Sequence, residues 1–104
     1  SVSSTAELNA AAQARAAEII ESFSHTRPDG TSCFTILEPY GVVYYTAGEN
    51  IAAGQSSPES VMDAWMNSEG HRANILNGSF NHIGVGFVKA DGGYRYYWVQ
   101  LFTD

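Results

Sequence analysis

The feature that most constrains the fold is the segment 83–87 (IGVGF), in which glycine alternates with large apolar residues. Such period-two alternation is typical of a β-strand, whose successive side chains point to opposite faces. Turn residues follow at 91–93 (DGG), and 94–102 can return as a second strand, so this region is predicted to be a hairpin. Because the two glycines fall on one face, we expect a helix or an aromatic ring to lie directly against that face.

A first helix is predicted near the start of the chain. Ser4-x-x-Glu7 has the form of a capping box, in which the two side chains satisfy free amides at a helix start. Apolar residues then recur at helical spacing. The helix is expected to stop near Ser24, because Pro28 and the residues after it favour a turn.

A second helix is predicted from Ser57-Pro58, which supplies an N-cap and a proline at the first helical position. It is expected to end around Ser68, with Gly70 as its C-terminal glycine. Residues 73–76 can then form one further turn before the hairpin.

The middle of the chain is predicted to contain one strand and one sharp turn. The segment 42–46 (VVYYT) is rich in β-branched and aromatic residues, which is typical of a strand. Gly48 then permits a tight turn that aims Glu49 into a pocket, with Ile51 packed beneath it. Before this strand, 31–38 is expected to form one short helical turn.

This order of elements, with no internal repeat, predicts an α+β fold in which helices cover a central antiparallel sheet. At 104 residues, 1–104 is predicted to be one domain. A sheet of about three strands needs cover on both faces, and two helices are few for that purpose.

Composition excludes several partners. The formal net charge is −6 and the five Lys and Arg are spread along the chain, which argues against nucleic acid and anionic membranes. No apolar run reaches transmembrane length. Cys33 is alone, so no disulfide forms within the chain, and it is interpreted as a small buried hydrophobe. The start at Ser1, without an initiator Met, indicates a cut inside something longer.

Two histidines and two glutamates are candidates for one pocket built from loops: His25, Glu49, Glu69 and His71. Imidazole nitrogen and carboxylate oxygen can together hold a metal ion or a polarised water. Simpler alternatives stay open, since His25 can cap the end of the first helix, and Glu69 with His71 can be a solvated surface pair. The third histidine, His82, is interpreted as a hydrogen-bonding residue at a strand end.

Five motifs, in this order, resemble those of the bacterial branch of the CAP superfamily: FSHTRPDG at 23–30, GENIA at 48–52, AWMNS at 64–68, GHRANIL at 70–76 and IGVGF at 83–87. That superfamily includes cysteine-rich secretory proteins, insect antigen 5 and plant pathogenesis-related class 1 proteins. The resemblance covers about 8–102. It implies a three-layer α-β-α sandwich, export from the cell, and a surface cleft that carries two His and two Glu.

The resemblance assigns this tetrad to His25, Glu49, Glu69 and His71. Glu59 and Asp63 are poorer matches for the second acid. The resemblance further implies that the two histidines ligate a divalent ion, commonly zinc, while the glutamates orient its waters. Two neutral imidazoles suit zinc, but only two protein ligands make an open and weak site.

This chain departs from the family pattern in two ways. Most members begin with a helix ahead of the first one predicted here, and that helix is apparently missing. An apolar face is then left open, which another segment or a second copy of the chain is expected to cover. The cysteine pairs of eukaryotic members are also missing, so stability is expected to come from packing.

Three functional hypotheses follow. The first is a secreted binding module whose cleft, with or without metal, engages a small molecule, lipid, glycan or peptide. The second is a metal-assisted hydrolase or peptidase with Glu49 or Glu69 as general base, or with Ser68 as nucleophile and His71 as its base. The third is a tetrad that only holds loops together. Binding without turnover is preferred, because catalytic zinc sites usually have three protein ligands.

Overall fold

The computed structural model of the chain describes residues 2–104. These residues form, in chain order, β1 (Ser3–Ser4), α1 (Ala6–Glu21), a 3-10 helix (Cys33–Leu37), β2 (Ala47–Ala53), α2 (Pro58–Met66), α3 (Glu69–Leu76), β3 (His82–Lys89) and β4 (Tyr96–Thr103). The strands make a four-stranded sheet in the order β1-β3-β4-β2. Its pairings are antiparallel except for the two-residue parallel contact between β1 and β3, so the predicted α+β class with a largely antiparallel sheet is confirmed.

Helices lie on both faces of the sheet, as a three-layer sandwich requires. On one face, α1 buries Leu8, Ala12 and Ile19 against Val99 and Leu101 of β4, which alternate along the strand. A second core lies on the opposite face, where α2 packs against β2 and β4: Ala52, Val61, Trp65 and Trp98. The α-β-α architecture is thus built from two cores that share one sheet.

The glycine alternation in β3 has the role that the sequence predicts. A Cβ atom at Gly84 would overlap the backbone of Leu8, and one at Gly86 would overlap the carbonyl of Ala12. Helix α1 therefore lies directly on the strand, closer than any side chain would allow. This close approach explains why glycine occupies both positions.

Side chains of α1 also close the outer edge of β3. The Asn9 Oδ1 accepts a hydrogen bond of 2.9 Å from the amide of Val85, and the Gln13 Oε1 accepts one of 3.0 Å from the amide of Phe87. Gln13 Nε2 in turn donates to the carbonyl of Phe87 over 2.8 Å. These bonds replace those of a neighbouring strand, which protects the edge from pairing with another chain.

The prediction of a strand at 42–46 is wrong. Val43 and Tyr45 are 92% and 97% exposed, and the amides of Tyr45 and Thr46 bond to Asp104 Oδ1 instead of a strand. Val42 and Tyr44 do pack against the α1 core, so the alternation reflects an extended segment with one apolar side. Apolar residues at every second position show which face of an extended segment is buried. A β-strand also requires hydrogen bonds to a partner strand, which this pattern does not show.

The predicted tight turn at Gly48 is also wrong, because Gly48 lies inside β2, opposite Phe102 of β4. Its missing side chain makes room for the ring of Phe80 and the side chain of Asn74, which a Cβ atom would meet at 3.0 and 3.1 Å. Glu49 reaches the α1 side of the sheet through ordinary strand alternation rather than through a turn.

Two helix ends differ from the sequence predictions. Thr5, not Ser4, caps α1, since its side chain accepts a hydrogen bond from the amide of Leu8. The start of α2 at Ser57-Pro58 is as predicted, but this helix ends at Met66. Gly70 does not end it, because a separate helix, α3, begins at Glu69 and includes Gly70 in its first turn.

An apolar strip on β3 stays partly open to solvent on the α2 side of the sheet. Val85 is 48% exposed and Phe87 is 38% exposed, while Gly84 and Gly86 between them face α1. The ring of Phe87 packs on that of Trp98, with centroids 4.3 Å apart, and also on Tyr96. Val85 and Phe87 therefore form an apolar strip of β3 that stays accessible to solvent.

Replacing Gly86 with Ala is expected to separate α1 from the sheet. The added Cβ would meet the backbone of α1, which cannot move aside as a flexible side chain can. We expect the free energy of unfolding to fall by about 1–3 kcal/mol or more. Urea denaturation measures this, with Gly92→Ala as the matched control, because nothing lies within 4 Å of a Cβ there. Equal stability of the two variants would contradict the close approach of α1.

Candidate functional site

His25 lies just beyond the end of α1, on a loop that folds back on itself. Its carbonyl accepts a 2.9 Å hydrogen bond from the amide of Cys33, and Thr26 pairs with Ser32 as an isolated bridge. The loop thereby places the His25 ring over β2, where Nδ1 is 2.8 Å from Oε1 of Glu49. The His25 side chain is 59% exposed and that of Glu49 is 1% exposed, so the imidazole covers a buried carboxylate.

Glu49 is held from the other side by Arg15 of α1. Arg15 Nε donates to Glu49 Oε2 over 2.7 Å, and its Nη2 donates to Glu49 Oε1 over 3.0 Å. Burial opposes the charge of Arg15, but hydrogen bonds from its guanidinium to Glu49 and Glu18 outweigh it and raise the pKa of Arg15. The pair is therefore a guanidinium bound to a carboxylate in a two-bond fork, and both oxygens of Glu49 are engaged.

The contact with Glu49 fixes which nitrogen of His25 carries the proton. An ionised carboxylate only accepts hydrogen bonds, so the ring nitrogen facing it, Nδ1, must be the donor. In the neutral ring the lone pair then lies on Nε2. This tautomer is inferred from the hydrogen bond, and it leaves Nε2 as the nitrogen available to a ligand.

His71, on α3, is half-buried and lies close enough to His25 for their charges to interact. Burial lowers the pKa of His71, and a nearby positive charge on His25 lowers it further. His71 therefore favours the neutral form, in which an imidazole can act as a metal ligand. We call His25 and His71 the paired-histidine site.

Two asparagines tie α3 to β2 beside this site. Asn50 Nδ2 donates to the carbonyl of His71 over 3.0 Å, and Asn74 Nδ2 donates to Asn50 Oδ1 over 2.9 Å. Asn74 also reaches the carbonyl of Glu49 at 3.3 Å. Glu49 and Asn50 are neighbours in β2, so one strand contacts both histidines. The Glu49 carboxylate holds the His25 ring, and the Asn50 side-chain amide holds the backbone of His71.

The other two sequence-predicted residues lie elsewhere, at the start of α3. Glu69 is two residues from His71, and residues at that spacing do not share a helix face. Glu69 instead lines an open hollow of about 430 Å³ with Arg72 and Leu76. Ser68 precedes the helix, and within residues 2–104 no hydrogen bond joins its hydroxyl to His71. The structure thus brings His25 to Glu49 and ties the backbone of His71 to the next residue of β2, while Glu69 lines a hollow whose lining includes neither histidine.

Cys33 is a further neighbour of Glu49. One ligand atom each of His25, Cys33 and Glu49 lie within 4.8 Å of one another, a spacing that would fit a metal ion. The electrostatics do not fit, because Arg15 already occupies the carboxylate and would repel a cation. Burial, followed by the negative charge of Glu49, raises the pKa of the Cys33 thiol from its ordinary value of 9.0 to about 12. Cys33 is therefore a neutral thiol beside the carboxylate.

A second layer of charges surrounds Arg15. Glu18 accepts a 2.9 Å bond from Arg15 Nη1 and bonds of 2.7–3.1 Å from Arg27, which also donates to Thr35. Burial alone would raise the pKa of Glu18, but the bonds from Arg27 and Arg15 outweigh it and hold the pKa below its ordinary value of 4.5. This network links α1 to the loop that carries His25.

Sequence reasoning missed Arg15, Asn50 and Asn74. Arg15 looks like an ordinary helix residue, and its one signal is its position among buried apolar residues, with Ala11, Ala12 and Ile19 three or four residues away on the same face. A charge placed in an apolar helix stripe needs a buried partner. The two asparagines lie within the GENIA and GHRANIL motifs, where their side chains have a structural role.

The sandwich fold is that of a domain of the CAP (SCP-like) type. The chain belongs to the cysteine-rich secretory protein family, whose family model matches residues 1–102. The family predicted from the motifs is thus confirmed.

Two relatives come from Bacillus subtilis strain 168. The chain is 52% identical to the protein YkwD over 80 residues, which are 77% of this chain and 30% of YkwD. It is 41% identical to the membrane protein YlbC over 64 residues, which are 62% of this chain and 18% of YlbC. The chain therefore spans less than a third of the length of either relative. None of the described helices is long and apolar enough to cross a bilayer.

Solved structures share the fold over nearly the whole chain. An extracellular protein with an SCP domain from Bacillus anthracis has a TM-score of 0.85 and 31% identity, over 98% of this chain and 33% of that one. An outer surface protein of Borrelia burgdorferi has a TM-score of 0.86 over 99% of this chain and 77% of that one. The second likeness, at 24% identity, shows the fold alone. Both neighbours are described as extracellular or outer-surface proteins.

Acid is expected to destabilise the protein partly through Glu18. Because the pKa of folded Glu18 is depressed, its contribution is present above the ordinary value of 4.5 and is lost as pH falls through the folded pKa. Glu18→Gln should be less stable than the wild type at about pH 7, and the difference should shrink below about pH 4. Urea denaturation across pH measures this, with Glu21→Gln, exposed at the end of the same helix, as control. A difference independent of pH would contradict the assignment.

The Cys33 thiol is expected to be unreactive in the folded protein. It is 3% exposed and its pKa is raised to about 12, so hardly any thiolate forms near neutral pH. Ellman's reagent should label it slowly under native conditions and rapidly in guanidinium. Fast labelling of the folded protein would contradict the buried position beside Glu49.

Proposed function

We propose that this domain is an extracellular binding module whose paired-histidine site holds a divalent metal ion such as zinc. The observation that carries the proposal is the Nδ1 contact of His25 with Glu49 at 2.8 Å, which commits Nδ1 to the carboxylate and leaves Nε2 free on a side chain that is 59% exposed. On α3, His71 has a pKa lowered by burial and by His25, so its ring favours the neutral form that binds metal.

The donor set supports zinc or a similar transition-metal ion over magnesium and calcium. Neutral imidazole is a borderline-soft ligand that suits zinc, copper and nickel better than magnesium or calcium. A carboxylate that receives the N–H of a ligating histidine is the usual outer partner at such sites, and Glu49 is in that position. With two protein ligands, the remaining coordination positions are open to water or to a donor group of a bound molecule.

Binding without turnover is supported better than hydrolysis. A general base must take a proton from a reacting water, and both oxygens of Glu49 already accept bonds from Arg15 and His25. Glu69 lines a different hollow, and Ser68 has no bond to His71 among the described residues. The function we infer is therefore recognition, in which the metal or the free Nε2 contacts a small molecule, lipid, glycan or peptide.

Export is part of the same proposal. Its support is the description of the Bacillus anthracis neighbour, which is 31% identical, as an extracellular protein. The chain covers 33% of that neighbour, so the proposal concerns this domain alone.

Zinc titration by calorimetry tests the metal site. We expect the wild type to bind one zinc ion, and we expect His25→Ala and His71→Ala each to weaken binding about tenfold or more, because each removes one of two nitrogen ligands.

The third histidine provides the matched control. His82 is exposed at the start of β3, on a different element from the other two, and His82→Ala should bind zinc as the wild type does. Equal loss in all three variants would point to scattered surface binding. Wild-type affinity in the His25→Ala and His71→Ala variants would overturn the site.

A further inference from the structure

We propose that Arg15 is the positioning residue of the paired-histidine site, because it fixes both Glu49 and the backbone beside His25. This inference rests on the proposed function, in which Nε2 of His25 must be free. Arg15 touches no solvent, so it acts on His25 through Glu49 and Ser24, while its third partner, Glu18, anchors the guanidinium.

The first partner is the carboxylate. Two donors of Arg15 grip the two oxygens of Glu49 at 2.7 and 3.0 Å, which sets the plane of the carboxylate as one point charge would not. In this plane Oε1 also receives Nδ1 of His25, at 2.8 Å. If the carboxylate turned, Oε1 would no longer be placed to accept a bond from that nitrogen.

The second partner is the chain segment that carries the histidine. Arg15 Nη2 bonds to Oε1 of Glu49 and also donates to the carbonyl of Ser24 over 2.9 Å. Ser24 directly precedes His25. Arg15 Nη2 therefore binds two groups at once. One is Oε1 of Glu49, which accepts the bond from the His25 ring, and the other is the backbone carbonyl next to His25.

Arg27 offers a matched comparison within the same network. It is the other arginine bonded to Glu18, and its remaining side-chain bond goes to Thr35. It has no bond to Glu49 or Ser24 among the described residues. Loss of Arg27 should disturb the network and leave the His25–Glu49 contact in place.

The test measures the proton position on His25 in the metal-free protein. Nitrogen-15 NMR at about pH 8, above the usual range of histidine protonation, distinguishes the Nδ1–H from the Nε2–H tautomer. We expect Nδ1–H in the wild type and in Arg27→Met. In Arg15→Met we expect a shift toward Nε2–H, which free histidine prefers, and zinc binding about 10–100-fold weaker.

Arg15→Lys guards against a variant that does not fold, since it keeps the charge but cannot span both oxygens. We expect an intermediate tautomer ratio in this variant. Wild-type ratios in Arg15→Lys, or a shift as large in Arg27→Met, would overturn the positioning role.

The two proposals fail in different ways. If the wild type binds no zinc while Arg15→Lys still shifts the tautomer, the metal function fails and the positioning role stands. If zinc binds through both histidines and the tautomer is unchanged in the Arg15 variants, the positioning role fails alone.

Discussion

The ion pair between Arg15 and Glu49 joins two elements that lie 34 residues apart in the chain. Removing both charges from water has a large cost, which is offset only when the geometry is good and the remaining donors are satisfied. Here Glu18 and the Ser24 carbonyl take up further donors of the guanidinium, and His25 adds a third hydrogen bond to Glu49. The pair holds α1 against β2, and its carboxylate also accepts the hydrogen bond that positions the exposed His25 ring.

The burial of Arg15 depends in turn on the glycines of β3, which let α1 lie close to the sheet. Because Gly84 and Gly86 let the backbone of α1 rest on the sheet, a side chain from that helix can reach the carboxylate in β2. A helix held away by ordinary side chains would lift the guanidinium from Glu49. The same close approach lets Asn9 bond to the strand edge. The glycine alternation therefore determines the core, the closed edge and the chemistry of the site together.

The sequence predicts what depends on local pattern and misses what depends on distant partners. The hairpin, the start of α2 and the glycine face follow from spacing alone, and the motifs identify the family. The prediction of a strand at 42–46 is wrong because alternating apolar residues show which side of a segment is buried, and they do not show that it pairs with another strand. The prediction of a turn at Gly48 is wrong because glycine is needed there to make room for the ring of Phe80, which is 32 positions further along the chain. Arg15 was missed since nothing nearby in sequence reveals a carboxylate on another element.

The difference in solvent exposure between Glu49 and His25 also indicates what kind of site this is. The carboxylate is 1% exposed and bonded within the protein, so the exposed face of the site carries imidazole and no solvent-facing carboxylate from Glu49. If the proposed metal binds there, a site with few protein ligands would hold it weakly and leave coordination positions open to an incoming molecule. The buried half of the site provides rigidity, and the exposed half provides access. That combination suits the reversible recognition proposed for this domain.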